Sequence, residues 1–502
     1  MGQLSRHAYG QPKTSLPIAG ELEYIPPNER SMSQIRQLLD LIKKSVEILE
    51  KTCAANGTEV PDLHSTFSPA SEAFRSDPVA SEAADIISAA GLQLSAIVAP
   101  PVISLYNAVG GHWRSAAVRL CLDSHVTEIL REAGPEGLHI DEITAKNGIN
   151  KQKLARCLRF LATGHIYREV KPNVFANTRI SSMLDTLKTS EEILADPLHK
   201  YDVTSGLAAL ASHHLDECSK SSSYLLENEQ DPKTANSEEP DAAPFARVSK
   251  GISYADFLLL PDQEYVSRRL NTAMLGIKAM LSDNAILEAY DWKSLPDNAI
   301  LVDVGGGVGT VSMILARNFE HLQIVIQDRP PALKDAVEVW NKELPGVLSS
   351  GRVKLEVQDF FEAQPSRNAS IFFLKSVFHD WSDAYCLKIL KRLRDAATSD
   401  TKLVIMDCII PYACHDPDAA NSGIEGLVTR EAPAPLLANW GAPKEMVYII
   451  DMIMLTLCNS LERTVAQFDQ LLRPTGWKIV AVRRPTGVDM TLMASIEAVP
   501  IL

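Results

Sequence analysis

Cysteine and positive charge are both scarce in this 502-residue chain. Its eight cysteines are scattered and form no CxxC pair, which excludes a disulfide-stapled scaffold. We therefore expect reduced thiols and no metal site. Lysine and arginine number 49 against 63 acidic residues, which gives a formal net charge of −14. Because a general nucleic-acid binder needs excess cations to displace phosphate counterions, that class is disfavoured.

Long apolar runs are also missing. The longest weakly charged stretch, residues 83–105, contains Asp85 and Gln93 and is interrupted by Pro100-Pro101. We therefore expect a buried helix or a subunit interface here rather than a membrane span. The first residues lack the apolar core of a secretory signal, and no internal repeat is visible. Together these absences predict a cytoplasmic protein that contacts no membrane.

The N-terminal part of the chain is predicted to be an arm followed by a helical region. Residues 1–30 contain Gly, Pro and polar residues without periodicity, which predicts a flexible arm. From Ser31 to about Thr52, apolar residues recur at helical spacing. Residues 113–183 follow the order helix, turn, helix and β-hairpin, which is typical of a winged helix. The sequence thus predicts a helical and winged-helix domain over residues 31–185.

A winged helix can also bind DNA, and this alternative stays open. The second helix of the motif carries four cations, Lys151, Lys153, Arg156 and Arg159. Its other face is deeply apolar and the net charge of the chain is negative, so we favour a subunit interface over insertion into a DNA groove. A DNA-binding regulator is the competing hypothesis from another functional class.

Two segments lack the pattern of a packed element. Residues 186–286 are expected to be connecting helices, but within them residues 227–244 carry six acids, one lysine and three prolines. No aliphatic residue larger than alanine occurs there, so we expect a disordered acidic insertion. Residues 411–445 are rich in Pro, Ala and Gly, and we expect either a lid over a site or a mobile loop.

From residue 287 to residue 502, strand and helix patterns alternate. Predicted helices separate five apolar runs of β character, at residues 300–304, 322–327, 353–357, 371–374 and 402–407. Strands that alternate with helices form a parallel sheet covered on both faces. We therefore expect an α/β fold with a doubly wound sheet in this domain.

A glycine-rich turn follows the first of these strands. The run DVGGGVGT, residues 303–310, leads from the strand into a helix and contains Gly305, Gly306 and Gly307. Glycines let the backbone approach a ligand closely, and the free amides of a helix N-terminus bind it. A dinucleotide site requires GxGxxG or GxGxxA, and Thr310 breaks that pattern. The turn therefore suits a cofactor without a pyrophosphate.

Three further candidates for the same ligand lie at the ends of the next two strands. Asp328 comes 23 residues after Gly305, where a carboxylate accepts hydrogen bonds from both hydroxyls of a ribose. The alternative is a helix cap before Pro330. Asp359 and Phe360 end the third strand, where an acid accepts a hydrogen bond from an adenine amino group and an aromatic ring stacks on the base. A purely structural role is the alternative for this pair.

A histidine block follows the fourth strand. His379 lies in the run LKSVFHDWSD, and ligands of open α/β sheets bind at the carboxyl ends of the strands. We therefore predict that His379 shares one rim with the glycine turn. Asp407, at the end of the next strand, and Glu462, in the run SLERT, are carboxylates that can fix its tautomer and support its charged form. Each acid taken alone also fits an ion pair or a cap.

Taken together and in this order, these blocks resemble the plant and fungal small-molecule O-methyltransferases that use S-adenosylmethionine. The motifs LVDVGGGVGT, QDRP, VQDFF, LKSVFHDWSD, VIMDCIIP and DMIMLTLCNSLERT carry the resemblance over about residues 270–502. A weaker likeness extends over about residues 80–185. The resemblance implies a Rossmann-like methyltransferase domain preceded by a helical and winged-helix dimerisation domain, and an intertwined homodimer.

The resemblance also implies roles for individual residues. The cofactor S-adenosylmethionine would be held at its methionine part by Gly305, Gly306 and Gly307, at its ribose by Asp328, at its adenine by Asp359 and Phe360, and at its carboxyl region by Lys375. The catalytic set would be His379 as general base with Asp407 and Glu462 beside it. Plant members commonly carry Glu where this chain has the shorter Asp407, so we expect its contact with His379 to need a water or a shifted loop.

The predicted reaction is methyl transfer to a hydroxyl, expected to be phenolic, of a small secondary-metabolite-like molecule. A phenol has a pKa of about 10 and imidazole about 6.5, so proton loss should accompany attack rather than precede it. Relatives that methylate nitrogen or carbon, or that use the bound cofactor for non-methylating chemistry, are alternatives within the same fold. We expect neither nucleic acid nor a membrane as a partner.

Overall fold

The computed structural model describes residues 32–279, 283–486 and 493–502. The predicted flexible arm, residues 1–30, lies outside the described residues. Helices dominate the described chain up to residue 287, and a seven-stranded sheet with its covering helices follows.

An antiparallel pair of long helices opens the described chain. α1 (Gln34–Asn56) follows the predicted apolar stripe and packs against α2 (Pro78–Val98). Leu38 and Leu49 are buried in this contact. The side chain of Asp77 accepts hydrogen bonds from two backbone N–H groups in the first turn of α2, so it caps that helix.

Large apolar side chains are exposed over residues 98–113, which follow the body of α2. α3 (Pro101–Val109) has no buried residue. At least half of the surface is exposed at Val98, Val102, Ile103, Leu105, Tyr106, Val109 and Trp113. Within the described ranges no single helix is long and apolar enough to cross a membrane; α2 and α3 reach that length and composition only as a pair bent by 118°.

A small helical unit with a three-stranded sheet follows. Its elements are α4 (Gly111–Asp123), α5 (Val126–Ala133), β1 (Leu138–His139), α6 (Ile140–Asn147), α7 (Lys151–Ala162), β2 (Tyr167–Lys171) and β3 (Val174–Asn177), with sheet order β1-β3-β2. α4 and α5 are separated at His125, whose φ of 60° is left-handed. His139 caps α6, because its side chain accepts a hydrogen bond from the backbone N–H of Asp141. A role as a winged-helix dimerisation domain stays a prediction.

The cations of α7 are partly neutralised within this unit. Arg159 donates two hydrogen bonds to the carboxylate of Glu169, at 3.0 and 2.8 Å. Lys151 pairs with Asp141 at 3.0 Å. The helix therefore presents less free positive charge than its sequence indicates, which weakens the DNA-binding alternative.

The connecting region is helical, as predicted, but its acidic segment is not disordered. The helices are α8 (Ser190–Ala195), α9 (Leu207–His213), α10 (Ser219–Ser222), α11 (Leu225–Gln230), α12 (Pro244–Ser249), α13 (Tyr254–Phe257), α14 (Glu264–Ala279) and α15 (Asp283–Leu287). Within residues 227–244, Asn228 and Ala242 are buried and joined by a 3.1 Å hydrogen bond. Asp231 pairs with Arg247 at 3.0 Å. Polar contacts order the segment where apolar burial is missing, so the prediction of disorder is wrong.

A mixed seven-stranded sheet forms the second region, in the order β6-β5-β4-β7-β8-β10-β9. Its strands are β4 (Ile300–Val304), β5 (Gln323–Asp328), β6 (Val353–Val357), β7 (Ile371–Lys375), β8 (Lys402–Cys408), β9 (Trp477–Arg483) and β10 (Met493–Pro500). β4 to β8 pair in parallel, as predicted, whereas β10 is antiparallel to β8 and β9.

Helices cover both faces of this sheet. They are α16 (Thr310–Asn318), α17 (Pro330–Glu343), α18 (Asp383–Ala396) and α20 (Val465–Leu472), whereas α19 (Glu445–Cys458) packs against the connecting helices. Val302 and Phe372 pack into the core on one face, and their neighbours Leu301 and Phe373 pack into the core on the other. Because successive residues of a strand point to opposite faces, this division shows a central sheet buried on both sides.

Candidate functional site

The parallel strands bring the candidate residues to one rim of the sheet. At this rim lie the glycine turn after β4, Asp328 at the end of β5, Asp359 beyond β6, Lys375 at the end of β7 and Asp407 near the end of β8. His379 lies in a 3₁₀ turn, Phe378–Asp380, just beyond β7. The carboxyl ends of parallel strands are where ligands of such sheets bind.

Backbone geometry and packing explain why the turn needs glycine. Gly305 and Gly307 have φ of 72° and 58°, in the left-handed region. A Cβ on Gly306 would lie 2.7 Å from the carboxylate of Asp303. A Cβ on Gly305 would lie 3.6 Å from the ring of Phe360, whereas one on Gly307 would meet no described atom within 4 Å. The turn is therefore packed on one side and open at Gly307.

Two carboxylates order the turn. Oδ2 of Asp328 accepts a hydrogen bond from the N–H of Gly307 at 2.7 Å, and its Oδ1 accepts one from the N–H of Arg329 at 2.7 Å. Behind the turn, buried Asp303 accepts from the hydroxyl of Ser312 at 2.6 Å. Burial raises the pKa of Asp303 to about 6, against the opposing effect of the Ser312 hydrogen bond. Asp328 thus joins the turn instead of capping α17.

Phe360 places an aromatic surface against the glycine turn. Its ring centroid lies 4.8 Å from that of Phe361 and 6.0 Å from that of Trp381. Asp359 is exposed and accepts from the N–H of Phe361 at 2.9 Å. Nζ of Lys375 lies 3.2 Å from the hydroxyl of the next residue. The structure brings Phe360 to the turn and places Asp359 and Lys375 on the same rim.

His379 and Glu462 form the central contact of the site. Nδ1 of His379 lies 2.8 Å from Oε1 of Glu462 and so joins residues 83 positions apart. Its Nε2 lies 3.6 Å from Oδ1 of Asp380. The Glu462 side chain is 1% exposed, whereas 22% of the His379 side chain is accessible. The imidazole is therefore anchored by a buried carboxylate and reachable from outside.

Negative charge around His379 controls its protonation. Burial lowers its pKa, but the charge of Asp380, the hydrogen bond with Glu462 and the charge of Asp407 outweigh burial. Together they raise the pKa of His379 to about 10. The imidazole is therefore mainly protonated at neutral pH.

Asp407 lies beside this pair without a hydrogen bond. Among the described residues, neither of its carboxylate oxygens has a hydrogen-bond partner, and the residue is 2% exposed. Burial raises the pKa of Asp407 to about 7, and the charge of Glu462 adds to the rise while that of His379 opposes it. Asp407 thus acts on His379 through charge, without the direct contact that a longer side chain would allow.

Two residues that the sequence reasoning did not single out hold the surrounding loops. The side chain of Arg463 is 1% exposed and donates to the carbonyls of Phe378 and Trp381 at 2.8 Å each. It also donates to the carboxylate of Asp383, the first residue of α18, at 2.7 Å. Asp451 on α19 accepts from the backbone N–H of Glu462 at 2.8 Å. In the sequence, the signal for this role is that Arg463 directly follows Glu462. Its partners could not be identified from the sequence because they lie about 80 positions earlier in the chain.

The irregular segment 411–445 encloses a different space. A cavity of about 760 Å³ is lined by much of this segment together with the first turns of α2 and α20. None of the cofactor-binding or catalytic candidates lines that cavity. This cavity is therefore separate from the rim residues, and a role of the segment as a lid stays a prediction.

The chain resembles known proteins along most of its length. Residues 234–431 match a family model described as an O-methyltransferase domain. A 4-O-methyltransferase of Phanerochaete chrysosporium is 47% identical over 93% of this chain and 99% of that protein. An O-methyltransferase of Armillaria gallica is 40% identical over 90% of this chain and 95% of that protein. OxaC, in complex with SAH and oxaline, has the same fold, with a TM-score of 0.60, 18% identity, and coverage of 92% of this chain and 100% of that one.

Proposed function

Because the chain belongs to the S-adenosylmethionine-dependent O-methyltransferase family, we propose that it methylates a phenolic hydroxyl with His379 as general base. The acceptor is a small secondary-metabolite-like molecule. The observation that carries the proposal is the 2.8 Å contact of His379 with buried Glu462, on the rim that also holds the glycine turn. A hydroxyl loses a proton when it is methylated, and the neutral form of His379 in this pair is the group that we propose accepts it.

The residues at the rim fit the cofactor. S-adenosylmethionine supplies a methyl group that is already activated on a sulfonium. The open backbone at Gly307, with no described atom within 4 Å of an added Cβ, leaves room for a ligand. Asp328 accepts a hydrogen bond from the N–H of Gly307, and the ring of Phe360 lies beside Gly305 in the same turn. We infer that the methionine part is held by Gly305, Gly306 and Gly307, the ribose by Asp328, the adenine by Asp359 and Phe360, and the carboxyl region by Lys375.

Glu462 orients the imidazole for proton removal. Since its carboxylate holds Nδ1 of His379, the proton stays on Nδ1 and Nε2 receives the proton of the acceptor. The pKa of His379, raised to about 10, matches that of a phenol at about 10, so proton transfer between them is nearly balanced. The charges of Glu462 and Asp407 stabilise the imidazolium that forms.

We also propose that the protein is a homodimer with its interface in the helical and winged-helix region. Leu105, Tyr106 and Trp113 are 66%, 76% and 65% exposed, and a contiguous apolar surface of this kind is typical of an interaction site. Sedimentation of the full chain at micromolar concentration should give a dimer, and Leu105→Glu should shift it toward monomer. A monomeric wild-type protein would contradict the proposal. Action in the cytoplasm stays a prediction.

Methyl transfer to a panel of phenols tests the proposed reaction. The full chain is incubated with S-adenosylmethionine labelled in the methyl group, and the products are identified by mass spectrometry. The corresponding methyl ethers, in which the hydroxyl is blocked, are the matched controls. We expect label in the phenols only. Transfer solely to nitrogen or carbon acceptors would contradict the phenolic acceptor.

A further inference from the structure

A short acidic segment of the chain runs from the connecting helices to the catalytic loops. Residues 234–241 are termed the acidic strap. At its start, the hydroxyl of Thr234 donates to the carbonyl of Asn228 at 2.6 Å. Directly after its end, the side-chain amide of the same Asn228, which is 2% exposed, donates to the carbonyl of Ala242 at 3.1 Å. One buried residue therefore holds the chain both at the start of the acidic strap and directly after its end.

The acidic strap supplies the cap of α18, the helix that directly follows the histidine turn. The N-cap residue Ser382 makes no capping hydrogen bond, and in the described structure its buried hydroxyl has no partner. Instead, the carboxylate of Glu238 accepts from the N–H of Ala384 at 2.8 Å. The carboxylate of Glu239 accepts from the hydroxyl of Tyr385 at 2.6 Å. A negative acceptor at a helix N-terminus is favourable, so the strap fixes this end of the histidine loop.

Asn459 fastens the acidic strap to the other catalytic loop. It ends α19 with a left-handed φ of 56° and lies three positions before Glu462. Its Nδ2 donates to the carbonyls of Ser237 and Glu239, at 2.8 and 2.9 Å. One segment therefore binds both the loop after His379 and the loop before Glu462.

We infer that the acidic strap is a positioning element for the general base. Glu238, Glu239 and Asn459 hold the His379 loop and the Glu462 loop together at the distance that their 2.8 Å contact requires. Misplacement of a catalytic group by about 1 Å lowers turnover strongly, and these two loops come from distant parts of the chain. The inference rests on the proposed role of His379 as base.

A charge-matched pair of double variants tests the acidic strap. Glu238→Ala with Glu239→Ala removes both carboxylate contacts. Glu227→Ala with Glu229→Ala removes the same charge from exposed side chains that make no hydrogen bond or ion pair within the described residues. We expect kcat to fall about tenfold in the strap variant, with the KM for S-adenosylmethionine within about twofold, and no change in the control. A lower melting temperature with unchanged kcat would overturn the inference.

Asn459→Asp tests the second attachment. Aspartate tolerates the left-handed backbone, but it places an acceptor against two carbonyls in place of a donor. We expect the same loss of kcat as in the strap variant. In a Glu462→Gln background both changes should lose most of their effect, because the pair they position is already broken. Fully additive effects would contradict action through Glu462.

The pKa of His379 gives a readout that needs no acceptor. NMR titration of the full chain labelled with ¹³C-histidine, assigned with His379→Gln, measures it directly. The strap variant should lower this pKa relative to the control, because the contact with Glu462 loosens; an unchanged pKa would overturn the inference. If wild-type protein methylates no phenol while the pKa still shifts, the proposed function fails and the positioning inference stands.

Discussion

The glycine turn and the histidine cluster lie on one rim, but the turn is built from backbone groups and the cluster from ionisable side chains. The turn is built from the backbone of residues 305–309, in which the N–H of Gly307 donates to one carboxylate, Asp328, from the adjacent strand. The cluster brings together His379, Asp407 and Glu462 from three separate segments and buries both carboxylates beside the imidazole. Backbone groups do not titrate, whereas buried charges do. Cofactor binding and proton removal should therefore respond to different perturbations.

The largest effect that separates the two regions is expected for His379→Gln. Removing the base should lower kcat by about 10²–10⁴-fold while the Kd of the cofactor stays near normal, since no cofactor contact is lost. Steady-state kinetics and calorimetry measure the two quantities. His415→Gln is the control, because His415 makes a similar 2.7 Å contact with Glu431 on the exposed surface. Equal activity of His379→Gln and wild type would remove His379 from its role.

Asp328→Ala should produce the opposite pattern. Losing a charged hydrogen-bond acceptor that orders Gly307 and is proposed to bind the ribose should weaken cofactor binding by about ten- to hundredfold. Titration calorimetry with S-adenosylhomocysteine reports the change. Asp335→Ala, an exposed acid on α17, should bind normally. Unchanged binding by Asp328→Ala would show that the turn holds the cofactor without this carboxylate.

Glu462→Gln should shift the pH dependence of the reaction. The base form of His379 exists above its pKa of about 10, so kcat/KM should rise with pH from neutral into the alkaline range. Glutamine keeps an acceptor but removes a negative charge, which lowers the pKa of His379 and moves the rising limb to lower pH by about one pH unit. The affinity for the cofactor should not change in this variant. A pH profile identical to that of wild type would mean that Glu462 does not act on His379.

Gly307→Ala should have a smaller effect, confined to the cofactor. A Cβ on a residue with a left-handed φ strains the backbone. At Gly307 the added Cβ would face open space and would occupy part of the surface proposed for the ligand. We expect cofactor binding about three- to tenfold weaker. Gly57→Ala is the control for strain, because its φ of 65° and open surroundings are similar. Equal loss of binding in both variants would attribute the effect to folding.

Asp407→Asn should change stability rather than binding. The folded chain keeps the proton of Asp407 up to about pH 7, whereas an unfolded carboxyl loses it near pH 3.8. The free energy of unfolding therefore falls as the pH rises between these values, and the whole destabilisation by the buried charge is present above pH 7. Removing the charge should raise the melting temperature by about 1–3 °C at pH 8 and leave it unchanged near pH 4. Asp335→Asn should show no such difference. A gain that is equal at both pH values would contradict the burial argument.

The success of prediction differed between the parallel strands and the rest of the chain. β4 and β6 were predicted with the bounds that the structure has, because their short apolar runs are bounded by polar turns. The last two strands were not predicted. The prediction of disorder over residues 227–244 failed because hydrogen bonds from Asn228 and Asn459 leave no periodic signal in a sequence. Sequence reasoning therefore found the candidate residues of the rim but not the segment that holds their loops.

The sequence by itself determined that the glycine turn, Asp328 and His379 share one rim. Hydrophobic period and the alternation of strands with helices specify a parallel sheet, and residues after the strands then meet at its carboxyl edge. Only the tertiary structure decided that Glu462 contacts His379, that Asp407 is buried with no hydrogen-bond partner among the described residues, and that the pKa values of His379 and Asp407 are raised. The physical reason is that a local pattern controls backbone hydrogen bonding, whereas burial and the distance between charges depend on segments far apart in the chain.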